Sequence, residues 1–353
     1  MRYIGNKENI IEKIDSLLLK NGVCGERFFD FFSGTTSVAK YYKQKGYEIS
    51  SSDLMYMSFC LQKSYIENNN IPEFKRLLAH ISYSSSHLLF STPLDIVLDH
   101  LNNLPPVEGF IFQNYTPGGT SHLGQPRMYF TSENGKRIDA IRTKIEEWKT
   151  TTLIEEHEYY ILISCLLETV SLYSNVAGVY AAFYKKWDPR AIKKLTLRPI
   201  QLLDNNKINA VFNCDSMDLV DTIDTDILYL DPPYNERQYF PNYHLLETIA
   251  RYDNPEIKGV TGMRVTGNRK SRFCNHKTAL QDLERIASRA KFKHLVLSYN
   301  SEGVMSQDEI LFVLSKYGKT ILEQFCNTRF KSNNNGLAKT KRIVNEQVYI
   351  LSK

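Results

Sequence analysis

Nothing in this chain reads as a membrane anchor, a disulfide framework or a metal cage. Its six cysteines, at positions 24, 60, 165, 214, 274 and 326, form no C-x-x-C pair. Scattered thiols of this kind suit a reducing compartment. Cys274 and His276 lie close together, but no second pair completes a zinc set, so no metal is expected. The most hydrophobic stretch, Tyr159 to Tyr184, is interrupted by Glu168, Ser171, Ser174 and Asn175. A buried helix pair, not a bilayer span, is expected there. The opening residues Met1 to Lys7 lack the apolar core of a signal peptide. Charge imbalance is slight: 44 Lys+Arg against 39 Asp+Glu leave a net +5, which permits a polyanionic partner without demanding one. There is no internal repeat, and Asn333-Asn334-Asn335 is too short to make a low-complexity tract.

What is present is an ordinary globular composition, 42% apolar and 24% charged, in 353 residues. That length supports one large core or two ordinary ones. Three strand-like segments end in an acid or a glycine turn. Asp226-Ile227-Leu228-Tyr229-Leu230 reads as a strand buried on both faces of a parallel sheet, followed at once by Asp231-Pro232-Pro233-Tyr234. Arg27 to Phe32 reads as a strand that runs into Ser33-Gly34-Thr35-Thr36-Ser37 and the helix Val38–Lys45. A strand, a glycine turn and a helix N-terminus together make a cofactor seat. Tyr47 to Ser52 reads as a third strand with Asp53 at its tip, about 20 residues beyond the turn, where nucleotide-binding folds hold a ribose diol. Val211 to Asp215, His294 to Asn300 and Gln347 to Leu351 add further strands, and Ile10 to Leu18 and Tyr243 to Tyr252 read as helices. The fold class expected is α/β, a doubly wound Rossmann-like sheet.

Asp231-Pro232-Pro233-Tyr234 carries the chemistry. Two prolines stop any ladder or helix and hold the backbone extended. The Asp231 carboxylate and the Pro232 carbonyl are two acceptors, and an exocyclic amino group presents two donors. Acceptors fixed on opposite sides would draw such a nitrogen toward tetrahedral geometry and free its lone pair for attack. Tyr234 offers a flat face on which an extruded base can stack, worth roughly 1–3 kcal/mol.

With Asn235 the motif resembles that of the DNA amino-methyltransferases, and the chain more narrowly resembles the Dam-like, alpha-group adenine-N6 methyltransferases of restriction–modification systems. The resemblance covers roughly residues 1–60 and 210–353, with parts of the segment between. It implies S-adenosylmethionine (SAM) as the only cofactor, with no metal, because a sulfonium already activates its methyl group. Tyr3, Gly5 and Lys7 match the aromatic-x-Gly-x-Lys opening that lies over SAM in that family, with Tyr3 where the member compared has tryptophan. Lys7 would sit near the cofactor carboxylate. The family's F-x-G-x-G is represented by Phe32, Ser33 and Gly34, with Thr36 in place of the second glycine. Thr36 or Ser37 would then cap the following helix, and Gly34 would admit the methionine portion of SAM. Asp30 would face the cofactor ammonium directly or through water, Asp53 the ribose and Asp215 the adenine ring, with Asp231 shared between cofactor site and chemistry.

Residues 71–194 break the strand–helix alternation. They are expected to be an inserted DNA-recognition region within a methyltransferase domain made of 1–70 and 195–353. Gln113 to Phe130, including Arg127, is too long and glycine-rich for a connector. Lys136, Arg137, Arg142 and Lys144 on a predicted helix, and Lys185, Lys186, Arg190, Lys193 and Lys194 further on, read either as solvated faces or as DNA contacts, and their place beside a base-modifying site favours DNA. Arg237, Arg264 and Arg269 join that set, the last two in the loop from Lys258 to Arg272, which either closes over DNA or is simply mobile. The partners implied are double-stranded DNA and a restriction endonuclease encoded alongside. A cytoplasmic prokaryotic protein, associated with the nucleoid through DNA, is expected. A cytosine-N4 methyltransferase, and a DNA-binding protein or nuclease that kept the fold, remain alternatives. No convincing paired-acid-plus-lysine nuclease set is visible.

Overall fold

The computed structural model describes residue 3 and residues 5–81, 91–234, 238–265, 271–328 and 343–353, without the side chains of 327, 328 and 343. The chain divides into two compact units. One holds residues 4–67, 203–240 and 268–353; the other holds 1–3, 68–202 and 241–267.

The first unit is built on a seven-stranded sheet. Its strands are β1 (Arg27–Asp30), β2 (Glu48–Ser52), β3 (Ala210–Phe212), β4 (Asp224–Leu230), β5 (Lys291–Asn300), β6 (Lys319–Thr328) and β7 (Ile343–Ser352). They lie in the order β3-β2-β1-β4-β5-β7-β6. The first five are parallel; β7 runs antiparallel to β5, and β6 antiparallel to β7. The order reverses between β1 and β4, and in open α/β sheets that crevice, at the carboxyl ends of the strands, receives the ligand. The fold is therefore the Rossmann-like α/β sheet that the strand pattern predicts. One strand, Lys319–Thr328, escapes prediction. It lies at the sheet edge, its described side chains are mostly half-buried or exposed, and the period-2 contrast is weak.

Side-chain alternation divides the core between two faces. Phe29, Phe31, Leu228, Leu230, Leu295 and Leu297 share one cluster with Leu283, Ile286, Ile310 and Leu314 of the helices His276–Arg289 and Gln307–Leu314. On the other face Phe28 stacks on Tyr42 of the helix Ser37–Gln44, with ring centroids 4.0 Å apart, and on Tyr229 at 5.9 Å. Each Leu or Phe buried in this way contributes about 1.5–3 kcal/mol, so β4 is held firmly where Asp231-Pro232-Pro233-Tyr234 leaves it.

The second unit is mainly helical. Its longest helices are Ser132–Thr150 and Glu156–Tyr173. It also takes in most of the helix Phe240–Arg251 and a short hairpin, Ile257–Lys258 paired with Met263–Arg264. Residues 241–267 therefore group with the inserted region, whereas the sequence alone assigns them to the segment 195–353. The helix pair predicted over 159–184 is a single helix ending at Tyr173, followed by irregular chain. Asn175 ends the regular structure: its side-chain amide donates to the carbonyls of Met128 and Tyr184 and accepts from the Asp188 amide. Among the described residues no helix is long and apolar enough to cross a membrane.

Candidate active site

Backbone bonds stitch the strand ends of the sheet together. The Phe31 amide donates to the Tyr229 carbonyl at 3.0 Å, Ser33 to Ser52 at 3.0 Å, and Asp53 to Phe212 at 3.1 Å. Asp53 carries the next layer. One of its carboxylate oxygens accepts from the Gly34 amide and the other from the Met55 amide, each at 2.8 Å. The Gly34 carbonyl in turn accepts from the Ser58 hydroxyl at 2.6 Å. The turn after β1 is thus fixed from both sides by the residues that follow β2.

Thr36 stands where the resemblance calls for glycine, and it adopts the left-handed backbone a glycine would, with φ +63°. A β-branched residue there is strained by roughly 1–2 kcal/mol. It occupies the helix N-cap position but makes no side-chain cap bond; its hydroxyl turns back to the Thr35 carbonyl. The expectation of a capping threonine is therefore corrected, because a left-handed cap residue aims its side chain away from the first-turn amides. Asp215 does act as a cap: its carboxylate accepts from the Met217 amide at 3.0 Å and opens a short 3-10 turn. The strand before it ends at Phe212 rather than running to the acid.

Asp30 is buried to 1% exposure at the end of β1. Burial, then the charges of Asp231 and Asp53, push its carboxyl up to about 7, against the pull of the neighbouring Ser33 hydroxyl. Phe32, half-buried, packs edge-on against Phe31 and Phe273. A concentration of buried acid at a sheet's carboxyl edge is a receptor for a cation. That donor chemistry fits a cofactor carrying an ammonium and a sulfonium.

Asp231 lies one residue beyond β4. Its carboxylate is pushed up to about 6 by burial, which outweighs the opposing pull of Lys7. The Lys7 ammonium lies 3.2 Å from Asp231 Oδ1 and 2.5 Å from Glu346 Oε1. Lys7 is only 5% exposed; burial alone would lower its pKa, but Asp231 and then Glu346 raise it above the ordinary lysine value. Expected beside a cofactor carboxylate, Lys7 faces two protein carboxylates here. Its own carbonyl accepts from the Ile10 and Ile11 amides, which starts the helix Ile11–Lys20 and fixes the base of the side chain. Glu346, on β7, also accepts from the Ser298 hydroxyl at 2.9 Å. Sequence inspection passes over Glu346, since its only local signal is one acid in a strand.

Pro232 is buried, and the Tyr234 carbonyl accepts from the Val304 amide at 2.8 Å. The Tyr234 ring packs partly against the core cluster. The turn that supplies Val304 requires Gly303: a Cβ there would lie 2.1 Å from the Tyr299 ring.

In the helical unit, Tyr3 stacks on Tyr243, with centroids 4.1 Å apart. The basic residues predicted for DNA fall into different environments. Lys185, Lys186 and Lys193 are exposed on irregular chain. Arg190 is half-exposed and gives Nε and Nη2 to Asp188. Arg127, 7% exposed, donates to the carbonyls of Asn114, Gly259 and Val260. Arg264, also 7% exposed, forms a bidentate pair with Asp253. Both guanidiniums are turned inward to organise loops. Arg237 and Arg269 lie outside the described residues. The cluster on Ser132–Thr150 is not an open basic face either. Arg137 is buried against the carbonyls of Leu195 and Asn102, and Arg142 against those of Ile249 and Ala250. A guanidinium donates to carbonyl oxygens as well as to phosphate, and spacing along a helix does not distinguish the two.

A Rossmann-like sheet whose carboxyl edge carries Asp30, Asp53 and the Asp231-Pro232-Pro233-Tyr234 turn defines a methyltransferase fold. Over residues 3–311 the sequence matches the model of the D12 class N6 adenine-specific DNA methyltransferases, and the chain belongs to that family. It is similar to the type II methyltransferase M.FokI of Planomicrobium okeanokoites, 40% identical over 90% of this chain and 47% of that protein. Modification methylase StsI of Streptococcus sanguinis is 36% identical over 100% of this chain and 52% of its own length. The chain thus spans about half the length of these two relatives. The type II methyltransferase M.NlaIII of Neisseria lactamica is 37% identical over 94% of this chain and 93% of that protein.

Proposed function

We propose that this chain transfers a methyl group from SAM to the exocyclic N6 of adenine in double-stranded DNA, as the modification enzyme of a restriction–modification system with a cognate endonuclease. The observation that carries the reading is Asp231, held at the end of the central strand β4 beside the buried Lys7 ammonium, in a chain that matches the adenine-specific family. When bound, SAM supplies an electrophilic methyl on a sulfonium. Asp30 would take its ammonium, Asp53 and the Gly34 turn its ribose and methionine portions, and Asp215 its adenine side, with Phe32 and Ser33 as further contacts.

The Asp231 carboxylate and the Pro232 carbonyl accept the two amino hydrogens, which localises the nitrogen lone pair for attack. Tyr234 receives the extruded base by stacking. Positioning and exclusion of water carry the rest of the rate. Lys185, Lys186 and Lys193 contribute phosphate contacts that orient the duplex. The relatives named as type II methyltransferases and modification methylases support the restriction–modification setting.

The test is to incubate the chain with SAM and DNA, digest to nucleosides and identify the modified base by mass. N6-methyladenine, absent when Asp231→Ala is used in a folded protein, is the expected product. N4-methylcytosine would overturn the target base, and no methylated base with any DNA would overturn the transfer.

A further inference from the structure

We propose that Glu346 is a positioning residue for the amino-group acceptor Asp231, acting through Lys7. The proposal rests on the reading of Asp231 as that acceptor. One ammonium here serves two carboxylates, and the shorter contact, 2.5 Å against 3.2 Å, belongs to Glu346. Both members of that shorter pair are nearly inaccessible, Lys7 at 5% and Glu346 at 3%, so their attraction is little screened.

Glu346 is also well anchored. It lies on β7, which is flanked on both sides by β5 and β6, directly across from Asn300. The oxygen that takes Lys7 is the one that accepts from Ser298 on the neighbouring strand. A lysine side chain has four rotatable bonds and three donors. Without a second anchor it would close on Asp231 and occupy the oxygens an amino group must reach. With Glu346 in place, Lys7 still pairs with Asp231 Oδ1 at 3.2 Å, which favours the ionised carboxylate, but its shorter bond goes to Glu346.

The groups facing Asp231 are Lys7, Glu346, Asp30 and the Tyr229 phenol. Of these, Glu346 opposes Asp231 ionisation directly and also competes for Lys7, so the two effects share one sign. Removing the Glu346 charge lets Asp231 ionise at lower pH but in a tighter pair with Lys7.

The deciding variant is Glu346→Gln, which keeps shape and an acceptor oxygen. Two readouts are taken. One is the Asp231 titration followed by NMR on carboxyl-13C aspartate, assigned by loss of the signal in Asp231→Asn. The other is the pH dependence of methyl transfer to DNA. The expected result is a downward shift of the Asp231 titration by about 0.5 unit or more, with a matching shift in the acid limb of kcat/KM. A fall in kcat of about tenfold, with KM for DNA within about twofold, is expected alongside. An unmoved titration and an unchanged kcat in folded Glu346→Gln would overturn the proposal. If that variant does not fold, Glu346→Asp replaces it: the charge stays, but a carboxylate retracted by one methylene releases Lys7 toward Asp231, and a smaller shift in the same downward direction is required. A wild-type chain inactive on all DNA, with the titration still moving in the variant, would sink the methyl-transfer reading and leave the Glu346–Lys7 coupling to Asp231 standing.

Discussion

Lys7 Nζ lies 3.2 Å from Asp231 Oδ1, joining the segment ahead of the first helix to the tip of the central strand. Lys7 favours the Asp231 charge that burial opposes. Lys7→Met should therefore move the acid limb of transfer upward from about 6, because burial then acts without its counterweight. The rate lost at pH 7 should return in part at higher pH. The variant also leaves Glu346 buried without its cation, a change that typically costs about 3–5 kcal/mol. Urea unfolding alongside the pH–rate profile checks both; an acid limb that stays put would remove Lys7 from the control of Asp231.

Asp30 gives a second pH signature. With its carboxyl raised to about 7, it is partly protonated in the free protein at neutral pH. A bound ammonium requires the ionised form, so SAM binding should release a fraction of a proton near pH 6.5 and weaken as pH falls. Calorimetry in buffers of different ionisation enthalpy measures this, and Asp30→Asn should abolish the release. The same raised values have a consequence for folding. A carboxyl with a higher pKa folded than unfolded binds more protons in the folded state between the two values, so stability should decline as pH rises from about 4 to about 7 through Asp30 and Asp231.

The left-handed Thr36 predicts a stabilising substitution. Thr36→Gly removes the steric strain at φ +63° at the cost of extra freedom in the unfolded chain. A net gain of about 1 kcal/mol is expected from denaturant unfolding. A loss instead would mean that the buried side chain contributes more packing than the backbone loses in strain.

Exposed lysines on the helical unit supply the fourth test. Neutralising Lys185, Lys186 and Lys193 together should weaken DNA affinity while leaving SAM affinity unchanged. The slope of log affinity against log salt should flatten by about 0.9 for each phosphate the protein no longer neutralises. Replacing Arg127 should behave differently. Its partners are the Asn114, Gly259 and Val260 carbonyls, so its removal should appear first as instability of the helical unit.

The acids at the strand tips are legible from sequence because strands buried on both faces read as unbroken apolar runs. Arg27 to Asp30 and Asp224 to Leu230 therefore announce themselves, Glu48 to Ser52 is read from its place after the glycine turn, and Asp53 and Asp231 follow by position. Asp-Pro-Pro-Tyr is readable for a local reason as well, since two prolines fix their own backbone whatever surrounds them. Tertiary structure decides which charges point where. Arg127, Arg137, Arg142 and Arg264 look like a DNA surface in sequence, yet each finds carbonyl or carboxylate partners distant in the chain or in another element. Glu346 carries no local mark beyond being one acid in a strand. It reaches Lys7 only because β7 pairs antiparallel with β5 and brings the end of the chain back to its beginning. The identity of an ion pair's partner is a property of strand order, and strand order is set by the packing of the whole sheet.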